Sequence, residues 1–129
     1  MNAIVNKPWG TYQVLDQGKN YLTKKIYVKP NGKLSLQSHN HRSEHWIVAE
    51  GIAEVTIGEE IMNLEPHQSI FIPKKTKHRL ANNHNNTLII IEVWHGKILK
   101  EGTITELAND EEARRLYLGS TFSMGNENG

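Results

Sequence analysis

The segment SLQSHNHRSEHW, Ser35 to Trp46, packs three of the chain's seven histidines into twelve residues, together with a glutamine, an arginine and a glutamate. Imidazole nitrogens, carboxylate oxygens and amide oxygens are all ligands for Zn²⁺, Fe²⁺, Mn²⁺, Co²⁺ or Ni²⁺. Side chains two apart on an extended chain share a face. If this segment is extended, Gln37, His39 and His41 form one polar row, with Leu34, Leu36 and Ser38 turned the other way. Glu44, Trp46 and Val48 then share a face in the following strand, with His45 opposite. A further histidine, His78, follows Pro73 in IPKKTKHRLAN and supplies a separate element to the same chemistry. Arg42, beside the row, is a planar donor suited to a phosphate or a developing oxyanion, and Lys33 and Arg79 are possible helpers. The bland readings are a solvated polar loop for the row and an Arg42 salt bridge with Glu44 or Glu50. His84 and His95 are read as surface residues, His67 as a turn residue with no role, Trp46 as core, and Trp9 as a plug at one end of the fold.

These groups need a scaffold that holds three separate segments together, and short strands supply it. Period-two alternation dominates the chain. In YLTKKIYVKP, Leu22, Ile26 and Val28 share a face, and GKLSLQSHNH follows a Pro30-Asn31-Gly32 turn. HWIVAEG and IAEVTIG read as a hairpin around Gly51. SIFIP is a short strand, and TLIIIEVW reads as a strand buried on both faces. Strands separated by Gly, Pro and Asn turns predict an all-β sandwich or barrel. TELANDEEARRLYL, within 104–118, is expected to form a helix with a thin apolar stripe, followed by a Gly/Asn-rich end.

A chain of 129 residues suits one domain. Fifteen Lys+Arg against fourteen Asp+Glu leave a formal charge of +1, so neither nucleic acid nor a membrane is an expected partner. No cysteine is present, which excludes disulfides and thiolate metal sites. MNAIVNKPWG has no apolar core of a signal peptide, and the longest apolar run, Leu88 to Ile91, is too short to span a bilayer. A cytoplasmic location is the expectation.

The spacings are similar to those of the cupins, small jelly-roll β-barrels. Gln37-x-His39, four residues, Glu44, six residues and Gly51 match the first cupin motif, whereas His39-x-His41 stands too close to Glu44. Pro73, His78 and Asn82 match the second motif, with Lys75 and His67 where that motif carries glycine. KPWGTYQVLD, LSLQSHNHRSEHWIVAEG, SIFIPKKTKHRLAN and LIIIEVWHGK resemble the cupin domain of type II phosphomannose isomerases, which in bacteria is usually fused behind a mannose-1-phosphate guanylyltransferase. That resemblance covers about residues 6 to 97. It implies a single-domain cupin barrel over 1–100, and the residues beyond it are read as a short C-terminal helical tail over 101–129. It implies a divalent metal, Zn²⁺ first among the candidates, held by Gln37, His39, Glu44 and His78. His41 then faces the substrate, supports the ligands, or replaces Gln37 as a ligand.

The implied activity is isomerisation of a hexose phosphate, mannose 6-phosphate to fructose 6-phosphate. His41 or Glu44 would move the proton, Arg42 would stabilise the oxyanion, and Lys33, Arg42 and Arg79 would bind phosphate. The alternative is a non-catalytic module that binds a sugar phosphate or nucleotide sugar, since one fold carries many functions. A purely structural cupin is the third reading. A small-molecule sugar phosphate is the expected partner, and the family implies a homodimer. No nucleotide-binding Gly-rich signature occurs. Within 101–129, EGT, EEARRLYLG and the closing Phe-x-Met resemble the end of a lipopolysaccharide-export transporter ATPase, but no Walker A motif accompanies them.

Overall fold

A computed structural model describes residues 2–96. The expected helix at 104–118 and the rest of the tail lie outside the described residues. Nine strands follow in order: β1 (Ile4–Lys7), β2 (Gly10–Gln17), β3 (Tyr21–Val28), β4 (Arg42–Glu50), β5 (Ala53–Ile57), β6 (Glu60–Leu64), β7 (Ser69–Ile72), β8 (His78–Ala81) and β9 (Leu88–Gly96). They form a six-stranded sheet, β1-β2-β3-β9-β4-β7, and a three-stranded sheet, β6-β5-β8, with every pairing antiparallel. The all-β expectation holds.

Alternation along the strands builds one interior. Ile26 and Val28 of β3, Leu88 and Ile90 of β9, and Val48 of β4 face inward from the large sheet; Val55 of β5 and Leu80 of β8 meet them from the small one. Each such side chain contributes about 1.5–3 kcal/mol on leaving water. Trp46 joins this cluster, as expected of a core residue, and Trp9 joins it too.

Two expectations about local structure change. The chain does not form a hairpin at Gly51: β4 belongs to one sheet and β5 to the other. Gly51 instead turns the chain between sheets with φ of 90°, and a side chain there would strike the carbonyl of Thr87. Nor is the Ser35–His41 segment a regular strand. One isolated bridge, Gln37 to His78, ties it to the small sheet, and another, Lys33 to Ala81, stands just before it. Strand β9 is buried on its inner face and half-buried on its outer one, so the expectation of burial on both faces holds for one face.

Both motif positions that lack glycine keep the backbone glycine would take. His67 has φ of 77° and Lys75 φ of 64°. The left-handed turn is retained, and these side chains bear its steric penalty.

Candidate metal centre

The interior is polar at one end. Register places Lys24 of β3 opposite Glu92 of β9, and Glu92 opposite Trp46 of β4. The next inward row is Leu22, Trp94 and Glu44, and Arg42 faces Gly96 at the rim. The rows on the other side, Ile26–Ile90–Val48 and Val28–Leu88, are wholly apolar.

Backbone contacts bring the histidines to this end. Gln37 and His78 exchange N–H···O bonds of 2.9 and 2.8 Å, which sets their side chains on one face. The Lys75 N–H, in its left-handed turn, donates to the His39 carbonyl at 2.7 Å. The donor atoms of His39, Glu44 and His78 consequently lie within 4.8 Å of one another, all three residues buried.

Hydrogen bonds fix the state of each group. The His78 Nδ1 faces the Thr76 carbonyl at 2.8 Å, so Nδ1 carries the proton and Nε2 keeps its lone pair. The Arg42 terminal nitrogen lies 2.9 Å from His39 Nε2. A guanidinium only donates, so that Nε2 is the acceptor. Arg42 Nε donates to Glu44 Oε2 at 2.8 Å, and Trp46 Nε1 donates to Oε1 at 2.8 Å.

Charges follow from this arrangement. Burial, then Arg42, His78 and Lys24, hold His39 well below the usual imidazole range. Burial and Arg42 also depress His78, against the opposing pull of Glu44 and the Thr76 bond. For Glu44, burial alone would raise the carboxyl, but Arg42, His78 and the Trp46 bond outweigh it and keep it ionised. Two neutral imidazoles and one carboxylate are donor types that suit a borderline divalent cation, the His39 Nε2 lone pair being shared here with Arg42.

Sequence reasoning placed His39, Glu44 and His78 together, and the structure brings them together. Gln37 is half-buried beside His78, and its amide nitrogen donates to Ser35 Oγ at 3.1 Å. His41 is exposed. The chain is not extended through it, so it does not join the His39 row, and its expected roles in proton transfer and ligation lose their geometric basis. Lys33 is exposed beside Ala81. Arg79 has the opposite parity to His78 on β8 and faces away from the triad. Neither stands in the cluster of His39, Glu44 and His78. Arg42 is buried against the ligands, and its guanidinium carbon stands 3.4 Å from the Trp94 ring centroid.

Lys24 and Glu92 escaped sequence reasoning. The Lys24 ammonium lies 4.3 Å from the Trp94 centroid and 4.6 Å from that of Tyr12, with Glu92 Oε1 at 4.0 Å. Trp94 Nε1 donates to Glu92 Oε1 at 3.0 Å. Burial and the nearby Glu44 raise the Glu92 carboxyl to about 8, against the opposing pull of Lys24. The signal was a charge at a core-parity position: Lys24 between Leu22 and Ile26, Glu92 between Ile90 and Trp94. Asn82, the last residue of the second motif, ties loops rather than ligands. Its Nδ2 reaches the carbonyls of Val28 at 3.1 Å and Asn86 at 2.7 Å, and its Oδ1 accepts from the His84 N–H.

The family model described as mannose-6-phosphate isomerase C-terminal matches residues 1–109. The chain belongs to this family. Within it, the xanthan biosynthesis protein XanB of Xanthomonas campestris is 49% identical over 100 residues, 78% of this chain and 21% of XanB. The mannose-1-phosphate guanylyltransferase RfbM of Salmonella typhimurium is 47% identical over 103 residues, 80% of this chain and 22% of RfbM. The chain thus spans about a fifth of the length of these curated relatives. An RmlC-like cupin from Shewanella frigidimarina shares the fold at a TM-score of 0.69 and 22% identity, over 78% of this chain and 86% of that one. The barrel of this family member is a cupin.

The expectation of hexose-phosphate isomerisation is overturned. The relatives whose names state an activity are guanylyltransferases, and the match extends over one small portion of them. The geometry agrees: His41 is outside the cluster, and Glu44 has both oxygens engaged and is a weak base. The family member is therefore related to part of sugar-nucleotide-forming enzymes. Among the described residues no helix is long and apolar enough to cross a membrane.

Proposed function

We propose that the chain is a non-catalytic cupin module that binds a sugar phosphate or nucleotide sugar at the polar end of its barrel, with a divalent metal in the site. The supporting observation is the buried triad His39, Glu44 and His78, with the cations Arg42 and Lys24 beside it. His39, Glu44 and His78 would hold the metal, Zn²⁺ first and Co²⁺, Mn²⁺, Fe²⁺ or Ni²⁺ as alternatives, with Gln37 as a fourth ligand. Bound there, the metal would supply a Lewis-acidic contact for a ligand oxygen. Arg42 and Lys24, both over the Trp94 ring, supply the positive charge that a phosphate would need. The named activity of relatives such as RfbM supports mannose 1-phosphate or its guanosine diphosphate derivative as the ligand class.

Thermal and urea unfolding of the metal-loaded protein test this reading. A phosphorylated mannose at one hundred times its Kd should stabilise the fold by about 2.7 kcal/mol, and free mannose far less. One metal per chain should bind, and His78→Ala should abolish it. Absence of stabilisation by mannose 1-phosphate, mannose 6-phosphate and the guanosine diphospho-sugar would overturn the reading. A homodimer is part of the proposal. It is supported by Ile47 and Phe71, exposed on the outer side of β4 and β7, and sedimentation would show it.

A further inference from the structure

The guanidinium of Arg42 occupies the very atoms a metal would need. Its two bonds, at 2.8 and 2.9 Å, end on Glu44 Oε2 and His39 Nε2, and these two atoms are themselves only 3.4 Å apart. The single lone pair of His39 Nε2 can serve one partner at a time. Arg42 therefore satisfies two buried acceptors that would otherwise be costly to leave unpaired.

We propose that Arg42 is a resident cation that a divalent metal must displace, and that the displaced guanidinium then receives the phosphate of the ligand, so that metal and phosphorylated sugar bind as a coupled pair. The inference rests on the metal-and-sugar reading above and specifies its regulation. Arg42 is the first residue of β4, opposite Gly96 at the rim, and its guanidinium already lies on the face of Trp94. Lys24 lies over the same indole, so a phosphate drawn to one cation enters the field of the other. Displacing Arg42 from its carboxylate is unfavourable unless an anion replaces that carboxylate. The metal alone must overcome this, and the phosphate removes the difficulty. Linkage makes the effect reciprocal: each ligand raises the affinity of the other by the same factor.

Titration of the whole chain with Co²⁺, followed by visible absorption, reads the coupling directly. In the wild-type protein, saturating mannose 1-phosphate should tighten Co²⁺ binding about tenfold, and this arm needs no variant. In Arg42→Met, which keeps the side-chain bulk, Co²⁺ should bind about tenfold tighter without sugar and gain nothing from it. Lys24→Met controls for the loss of a buried charge away from the ligand atoms. If it tightens Co²⁺ as much as Arg42→Met does, general electrostatics replaces displacement and the inference falls. Co²⁺ bound equally by wild type and Arg42→Met, or unaffected by sugar in the wild type, overturns the coupling while leaving the metal reading intact. Failure of the wild type and Arg42→Met to take up Co²⁺ overturns both.

Discussion

Replacing Glu92 by Gln tests how the polar end of the barrel is held. The carboxyl is raised to about 8 by burial and by Glu44, against an ordinary value near 4.5. A carboxyl raised in the fold keeps its proton where the unfolded chain has lost it. Its contribution is therefore fully present below the unfolded value and is lost as pH climbs towards the folded one. The slope is about 1.4 kcal/mol per pH unit, so Glu92 should remove about 3 kcal/mol of stability between pH 5 and pH 8. The histidines act in the opposite sense. His39 and His78 are depressed, so stability is lost as pH falls below the ordinary imidazole value and is unaffected well above it. The wild-type profile mixes these terms, and the difference between wild type and Glu92→Gln isolates one of them. Glutamine keeps an oxygen for the Trp94 N–H and carries no titrating proton. Urea unfolding with chelator at pH 5, 6, 7 and 8 should show the variant gaining on the wild type by about 3 kcal/mol across that range. Parallel profiles would refute the reasoning, because they would mean that Lys24 keeps Glu92 ionised like an ordinary carboxylate.

Lys75→Gly should stabilise the fold by about 0.5–1 kcal/mol, since φ of 64° suits glycine and the N–H to His39 is kept; a lowered urea midpoint would contradict this. Asn82→Ala should destabilise by about 2–3 kcal/mol, because it leaves the buried carbonyl of Val28 and its neighbours without their donor; denaturant titration measures it. Trp46→Phe deletes the donor to Glu44 Oε1 and should cost about 1–2 kcal/mol. It should also move the Glu44 carboxyl upward, visible by carboxyl NMR.

Much of the centre was legible in the sequence because motif spacing encodes which residues a jelly roll brings together. His39, Glu44 and His78 sit on three segments, and no periodicity within one segment would have joined them. Parity carried Glu44 and Trp46 correctly because both stand on a real strand. It failed for His41, because the Ser35–His41 segment is bridged to its neighbour at isolated points rather than along a ladder. It failed for Gly51 because a turn residue reads alike whether the chain reverses within a sheet or passes to another. Lys24 and Glu92 were passed over for a different reason. Charged residues between apolar ones look like the polar side of an alternating strand, and only counting parity strictly shows that they point inward. The retained left-handed turns at His67 and Lys75 could not be read from side chains that disfavour them.

The strand order also dictates when the protein can become complete. Strand β9, the last of the described strands, lies between β3 and β4. Until residues 88–96 leave the ribosome, the two strands that will flank it present unpaired backbone edges, and the large sheet lacks its middle. The pairings that close it join positions as distant as Tyr21 and His95, which makes for high contact order and slow closure. Glu92 and Trp94 arrive on this last described strand, so the polar end of the barrel is assembled by the same event that joins β3 to β4. A nascent chain stalled short of Leu88 would hold His39, Glu44 and His78 without the wall that faces them, and would be a natural client for a chaperone that shields strand edges.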